Sequence, residues 1–232
     1  MKHDFQYISK HDPKVEASYE DLMQLLREVR KELKKDYTFQ HRIVGSYGRN
    51  MMTYDAKGNV GPDFDVNIYP NDDDNTIKPK DLKLKFKAAL DKCGPAHGFA
   101  AAEDSTRVLT IKIKDRKNSR VVFSVDFCIV NDYTDDNGDE RQEYIRFNKK
   151  QNSYSWGQQP AGYYMLPEKI QWIKDNWLWQ QVLDKYIEKK NSNGDPHVHS
   201  RTIFAIAVQE VCQQNGYYYD DDDDDYDEDD DY

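Results

Sequence analysis

Leu22, Leu25, Leu26, Val29 and Leu33 repeat at helical spacing and predict a first amphipathic helix, with Ser18 as N-cap and Glu20 and Asp21 in its first turn. Residues 1–17 show no period. Residues 37–44 are apolar and β-rich and run into Gly45-Ser46, after which a short helix fits residues 47–52. A turn-rich loop over 55–62 precedes a strand over 63–68, and a polar loop with Asp72-Asp73-Asp74 covers 70–76. Pro79 opens a helix with Leu82, Leu84, Phe86 and Leu90 among lysines, and Gly94-Pro95 stops it. Alternating runs over 107–114 and 120–130, joined by 115–119, predict a hairpin. Residues 131–141 read as a polar excursion with an Asn137-Gly138 turn, 142–147 as a further strand, and 152–160 as an aromatic loop. Pro167 then opens the longest helix, to about residue 190, carrying Ile170, Ile173, Trp177, Val182, Tyr186 and Ile187 on its apolar side. Residues 191–196 end it, and a last helix runs from Ser200 as N-cap to residue 213 with Ile203, Phe204, Ala207 and Val211 inward.

Charge is unevenly spread. The net charge is −10, but residues 220–231 hold eleven of the acidic groups, and without them 33 basic residues face 32 acidic ones. A run of like charges with so few apolar residues does not offset its ordering entropy, so residues 217–232 read as a disordered acidic tail: a solubilising appendage, a nucleic-acid mimic, or a handle for a partner. No apolar run is long enough to span a membrane, and the N-terminus lacks a secretory apolar block. The three cysteines, Cys93, Cys128 and Cys212, show no CxxC spacing. The expected home is a reducing cytoplasm.

The chemistry concentrates in Asp63-Phe64-Asp65-Val66. On a strand, Asp63 and Asp65 share one face while Phe64 and Val66 take the other. Two adjacent carboxylates repel unless a cation sits between them, and hard oxygen ligands suit magnesium or manganese better than zinc. Asp126 interrupts an apolar strand and needs a partner or a metal there. A backbone turning at Gly45-Ser46 points N–H groups toward an anion, and Arg49, three residues past Ser46, is placed for a phosphate or for an ordinary ion pair. His197-x-His199 has the alternation of a metal pair but lies in a loop with no cysteine nearby. Neither GxxxxGK[ST] nor GxGxxG occurs.

Gly45-Ser46-Tyr47-Gly48-Arg49, then Asp63-x-Asp65, then Asp126, with Tyr154-Ser155-Trp156 and Pro160 following, resembles the DNA-polymerase-β-like nucleotidyltransferases, in particular the branch of oligoadenylate synthases and bacterial cyclic-oligonucleotide synthases. The resemblance covers roughly residues 19–190; the gap from Ser46 to Asp63 is longer than in that pattern, and the C-terminal helical part is short. It implies an α+β fold with a mixed central sheet flanked by helices: a catalytic lobe over 1–160, a small helical lobe over 161–216, and the tail over 217–232. It implies transfer of NMP from an NTP, ATP or GTP, to a hydroxyl, with release of pyrophosphate. Two Mg2+ or Mn2+ ions would be held by Asp63 and Asp65, with Asp126 on the ion nearer the acceptor and able to receive its proton. Gly45 and Ser46 would hold the β- and γ-phosphates. Lys174 resembles a lysine set against the triphosphate in related enzymes, or is a solvated helix lysine; Trp156 and Pro160 would lie near the exit from the catalytic lobe, or Trp156 only anchors packing. The acceptor stays open among a second nucleotide, a nucleic-acid end, a protein hydroxyl and a small molecule such as an aminoglycoside. The alternative is a nucleotide- or partner-binding regulatory or antitoxin-like module on the same fold.

Overall fold

The computed structural model describes residues 3–58, 60–72, 76–195 and 198–217. His197, Asp73-Asp74 and the acidic run after Tyr217 lie outside them. Strands β1 (Phe5–Tyr7) and β3 (Thr53–Asp55) pair antiparallel as a small two-stranded unit. The main sheet runs β2 (Phe39–Val44), β4 (Asp63–Pro70), β7 (Arg120–Thr134), β6 (Val108–Asp115), β5 (Glu103–Asp104). Among the described strands of this sheet β4 and β7 pair parallel and the other pairs are antiparallel, so the sheet is mixed and the class α+β. The far half of β7 pairs with β8 (Glu140–Asn148), which pairs with β9 (Ser153–Gln158).

Strand alternation sorts the sheet's two faces. Phe64, Val66 and Ile68 of β4 and Val125, Phe127 and Ile129 of β7 are buried under α1 (Pro13–Leu33) and α3 (Pro79–Cys93), which contribute Leu22, Leu25, Leu26, Val29, Leu82 and Phe86. Each such side chain stabilises the fold by about 1.5–3 kcal/mol. The intervening residues of β4 and β7, the carboxylates among them, take the other face. A second apolar cluster joins α4 (Ala161–Asp175), α5 (Trp179–Ser192) and α6 (Ser200–Gln214) through Ile173, Val182, Phe204, Ala207 and Val211, with Met51 reaching in from beyond α2 (Gly45–Gly48). Among the described residues no helix is long and apolar enough to cross a membrane.

Several local expectations are corrected. The first helix starts at Pro13, not after Ser18: Asp12 is the N-cap, accepting from the Lys14 amide, and proline at N1 has no N–H to waste. Ser18 lies inside the helix, its hydroxyl donating to the Lys14 carbonyl. The unpatterned N-terminus contains β1. The short helix is Gly45–Gly48 rather than 47–52, because Met51 and Met52 are drawn into the apolar clusters. The excursion over 131–141 is the end of β7, a turn and the start of β8, and the aromatic loop is β9; Tyr154 and Trp156 pack against the main core, and tertiary pairing sets their backbone. Pro160 is the N-cap of α4, and Pro167 lies within that helix. The long helix is two, broken at Trp177, whose φ of 60° is left-handed and whose ring, expected on the apolar side, is exposed. The Leu178 and Trp177 amides close back onto the Ile173 and Lys174 carbonyls, the capping that glycine usually supplies. With no Gly or Pro there, the pattern carried no stop signal. His199, not Ser200, caps α6, the Ser200 hydroxyl being bonded to Tyr186.

Candidate active site

The parallel register of β4 and β7 sets Asp65 beside Asp126 and Asp63 beside Ser124. Ser124 Oγ donates to Asp63 Oδ1 at 2.8 Å, and Thr110 Oγ1, from β6, donates to Asp126 Oδ1. Each of the three carboxylates offers one oxygen within 4.8 Å of the others. Burial and the neighbouring charges push all of them up: Asp63 well above the usual carboxylate range, Asp65 to about 6 through burial and Asp126, and Asp126 through burial, against the Thr110 bond. Three repelling hard oxygen donors at this spacing fit divalent cations of the magnesium and manganese kind.

The Gly45-Ser46 turn abuts them. Gly45 has φ +64°, and a Cβ there would lie 1.8 Å from Asp65 Oδ2, so only glycine permits this approach. The Ser46 amide donates to the Asp65 carboxylate. The cleft above, of about 410 Å3, has the three aspartates and Ser46 on the sheet side. Arg49, Lys190, Arg201 and Phe204 line it as well. Arg49 lies 4.4 Å above the Phe204 ring, and its Nε is buried with no hydrogen-bond partner. Lys190 Nζ donates to Thr53 Oγ1 at 2.7 Å and is lowered to about 8 by burial, against the pull of Asp63, Asp55 and Asp65.

Of the sequence-derived residues, Gly45, Ser46, Arg49, Asp63, Asp65 and Asp126 thus come together. Lys174 does not: it is exposed at the end of α4, 5.4 Å over the Trp179 ring, and does not line the cleft. Helix α5, unseen as a separate element in the sequence, brings Lys190 there instead. The long loop before Asp63 brings Val60 and Gly61 to the cleft edge, with Gly61 N–H donating to the Val121 carbonyl. His199 lines the cleft, while its supposed partner His197 is outside the described residues. Ser124 and Thr110 were missed although Ser124 stands two residues before Asp126, a same-face spacing that was readable.

No family model matches the chain, and no curated protein does. Solved structures do. The Vibrio cholerae DncV cyclic AMP-GMP synthase, a prokaryotic cGAS homolog, aligns at TM-score 0.59 and 14% identity over 94% of this chain and 71% of that one. The fold is that of the polymerase-β-like nucleotidyltransferases. The STING-associated CdnE c-di-GMP synthase from Capnocytophaga granulosa has the same fold at TM-score 0.54 and 16% identity, over 90% of this chain and 62% of that one. The Elizabethkingia meningoseptica CdnE cyclic dinucleotide synthase, solved with GTP and Apcpp, does so at 0.52 and 15%, over 87% and 70%. What a nucleotidyltransferase fold shares at such identities is its architecture, and this chain spans 62% to 71% of the length of these three.

The raised carboxylates fix a pH dependence. A carboxyl whose folded pKa lies above its unfolded value stabilises below the unfolded pKa, and that contribution is lost as pH rises through the folded one. In EDTA, stability is therefore expected to fall as pH rises from about 4 to beyond 6, the interval between the ordinary carboxylate value and that of Asp65. Asp126→Asn at pH 7.5 in EDTA should equal or exceed wild type by roughly 1 kcal/mol, because one of three repelling charges is gone. Magnesium should stabilise wild type, and the variant should lose most of that gain. Urea unfolding of both full-length chains, with and without magnesium, measures this; a destabilised variant with the full metal shift would make Asp126 a purely structural carboxylate.

Proposed function

We propose that this protein transfers a nucleotidyl group from an NTP, ATP or GTP, to a hydroxyl with release of pyrophosphate, and that the acceptor is itself a nucleotide, giving a short linear or cyclic oligonucleotide. The observation that carries the reading is the convergence of Asp63, Asp65 and Asp126 in a cleft whose other wall holds Arg49 and Lys190, neither in an ion pair with a carboxylate among the described residues. The fold shared with the cyclic dinucleotide synthases supports it. Two magnesium or manganese ions bound by the aspartates would supply charge neutralisation at the α-phosphate and lower the pKa of the acceptor hydroxyl.

The chain's own groups divide the work. Asp63 and Asp65 would hold the ions. Thr110 engages Asp126 Oδ1, leaving Oδ2 for an ion or for the acceptor's proton. Gly45 offers its backbone N–H and Ser46, whose amide is bonded to Asp65, its hydroxyl to the β- and γ-phosphates, and Arg49 and Lys190 meet the remaining charge. In this reading residues 1–160 form a catalytic lobe and 161–216 a helical lobe closing the cleft. The free thiols Cys93, Cys128 and Cys212 suit a reducing compartment such as the cytoplasm.

A nucleotide acceptor is favoured by what lies past Asp126 on the same sheet face. Cys128, two residues on, senses both Arg107 and Arg201. Arg107 stacks 3.9 Å over Tyr144, and Arg201 5.0 Å over Tyr163. Two arginines in no ion pair among the described residues, each on an aromatic ring, suit a flat base and a phosphate and repel a polycationic aminoglycoside. Labelled NTPs, singly and in pairs, with magnesium or manganese and no other acceptor, should give pyrophosphate and an oligonucleotide by mass spectrometry. Unchanged NTPs would sink the activity; transfer only to added RNA or protein would sink the nucleotide acceptor.

A further inference from the structure

Lys190 is a long, flexible, strongly hydrated cation held half-buried with no carboxylate of the described residues at ion-pair distance. Neutral groups hold it: Thr53 Oγ1 at 2.7 Å, the Tyr186 hydroxyl at 3.3 Å, and the face of the Phe5 ring, whose centroid lies 4.3 Å from Nζ. These groups fix the ammonium without a direct ion pair, and Asp63, Asp55 and Asp65 act on its charge only from a distance.

Phe5 is in turn fixed from both lobes. Its amide donates to Asn191 Oδ1 at 2.6 Å, and Asn191 Nδ2 donates back to the Phe5 carbonyl at 3.0 Å, as a neighbouring strand would. Asn191 follows Lys190 on α5, so the helix turn carrying the cation is clipped to the strand carrying the ring. Tyr7 adds a bond from its hydroxyl to the Leu183 carbonyl, 2.7 Å. On the catalytic side, Phe5 lies opposite Asp55 and Tyr7 opposite Thr53, the residue that accepts from Lys190. Asp55 anchors that side. Burial pushes its pKa up, but the Asp4, Gly58 and Lys57 amides and the His3 ring hold it down at about 2, and the His3 ring stacks on Phe5 at 5.3 Å.

We propose that Phe5 is a positioning residue for phosphate binding: its ring, clipped by Asn191, holds the Lys190 ammonium where the triphosphate of the NTP arrives, so the N-terminal strand is part of the substrate site. This rests on the reading of Lys190 as a phosphate-binding cation. The attraction is the ring's quadrupole for a partly desolvated cation.

The probe is inorganic tripolyphosphate with magnesium, titrated calorimetrically into the full chain. Phe5→Leu should raise its Kd roughly tenfold, whereas Phe5→Tyr and Phe5→Trp should stay within about twofold of wild type. Pentafluorophenylalanine at position 5 keeps the ring's shape and reverses its quadrupole, and should weaken binding as Leu does even if Leu perturbs folding. Tyr7→Phe, which removes the Leu183 bond without touching Lys190, should cost stability but not affinity. Wild-type affinity in the Leu and fluorinated proteins, or equal weakening in the Tyr and Trp variants, overturns the proposal. Lys190→Met separates the layers: wild-type affinity there overturns the role of Phe5 while leaving nucleotidyl transfer to the aspartates. If wild type binds neither this probe nor any NTP, both readings fall.

Discussion

Asp63→Asn and Asp65→Asn are each expected to cut pyrophosphate release from NTP at least about a hundredfold, near 3 kcal/mol of transition-state stabilisation, without unfolding the protein. Asn matches Asp in size, and at position 63 its carbonyl oxygen can still accept from Ser124, so the strand keeps its packing and its lateral bond. What goes is one charge of three. Without metal that loss relieves repelling, buried carboxylates, so neither variant should be less stable than wild type in EDTA at neutral pH. Activity loss joined to retained stability is the signature of a ligand for reacting charge rather than of a structural group. Pyrophosphate release and urea unfolding on the same preparations decide it: activity within tenfold of wild type in either variant would remove the carboxylate pair from the chemistry.

Gly45→Ala should damage both stability and activity. Its φ of +64° costs an L side chain about 1 kcal/mol, and the new Cβ would also lie 2.6 Å from Asp65 Cγ and 2.9 Å from Asp65 Cβ. Because that collision reaches the base of the side chain, rotating the carboxylate away does not resolve it; either the turn or β4 must move. A total of about 3 kcal/mol is expected, together with a loss of activity comparable to that of Asp65→Asn. Gly138→Ala is the control. It too has positive φ, +84°, but nothing lies within 4 Å of its added Cβ, so it should cost only the conformational ~1 kcal/mol and leave activity intact. Equal costs in urea unfolding for the two variants would mean that Asp65 does not press on the turn in solution.

The sequence by itself determined the strand over Asp63 to Ile68, the hairpin that delivers Asp126, the Gly45-Ser46 turn and the apolar face of the first helix. Each is a local matter: a period of two or of 3.6 residues, or a residue whose backbone freedom a turn requires. Same-face spacing alone placed Asp63 and Asp65 together. Only the tertiary structure decided that Asp126 lies beside Asp65, since a parallel neighbour comes from a distant segment and its register leaves no local mark. It likewise decided that β9 is a strand, because its edge is paired by β8, and that the long C-terminal helix breaks at Trp177, where a left-handed backbone leaves the ring exposed while Ile173 before it and Val182 after it are buried. The cationic wall was the least legible part. Lys174 and Lys190 lie on the same amphipathic stretch with similar neighbours, and only the break between α4 and α5 turns Lys190 into the cleft and leaves Lys174 in solvent. Phe5, in a segment with no period at all, reaches the site because a strand partner and an asparagine side chain satisfy its backbone, and hydrogen bonds of that kind can be made by almost any residue type.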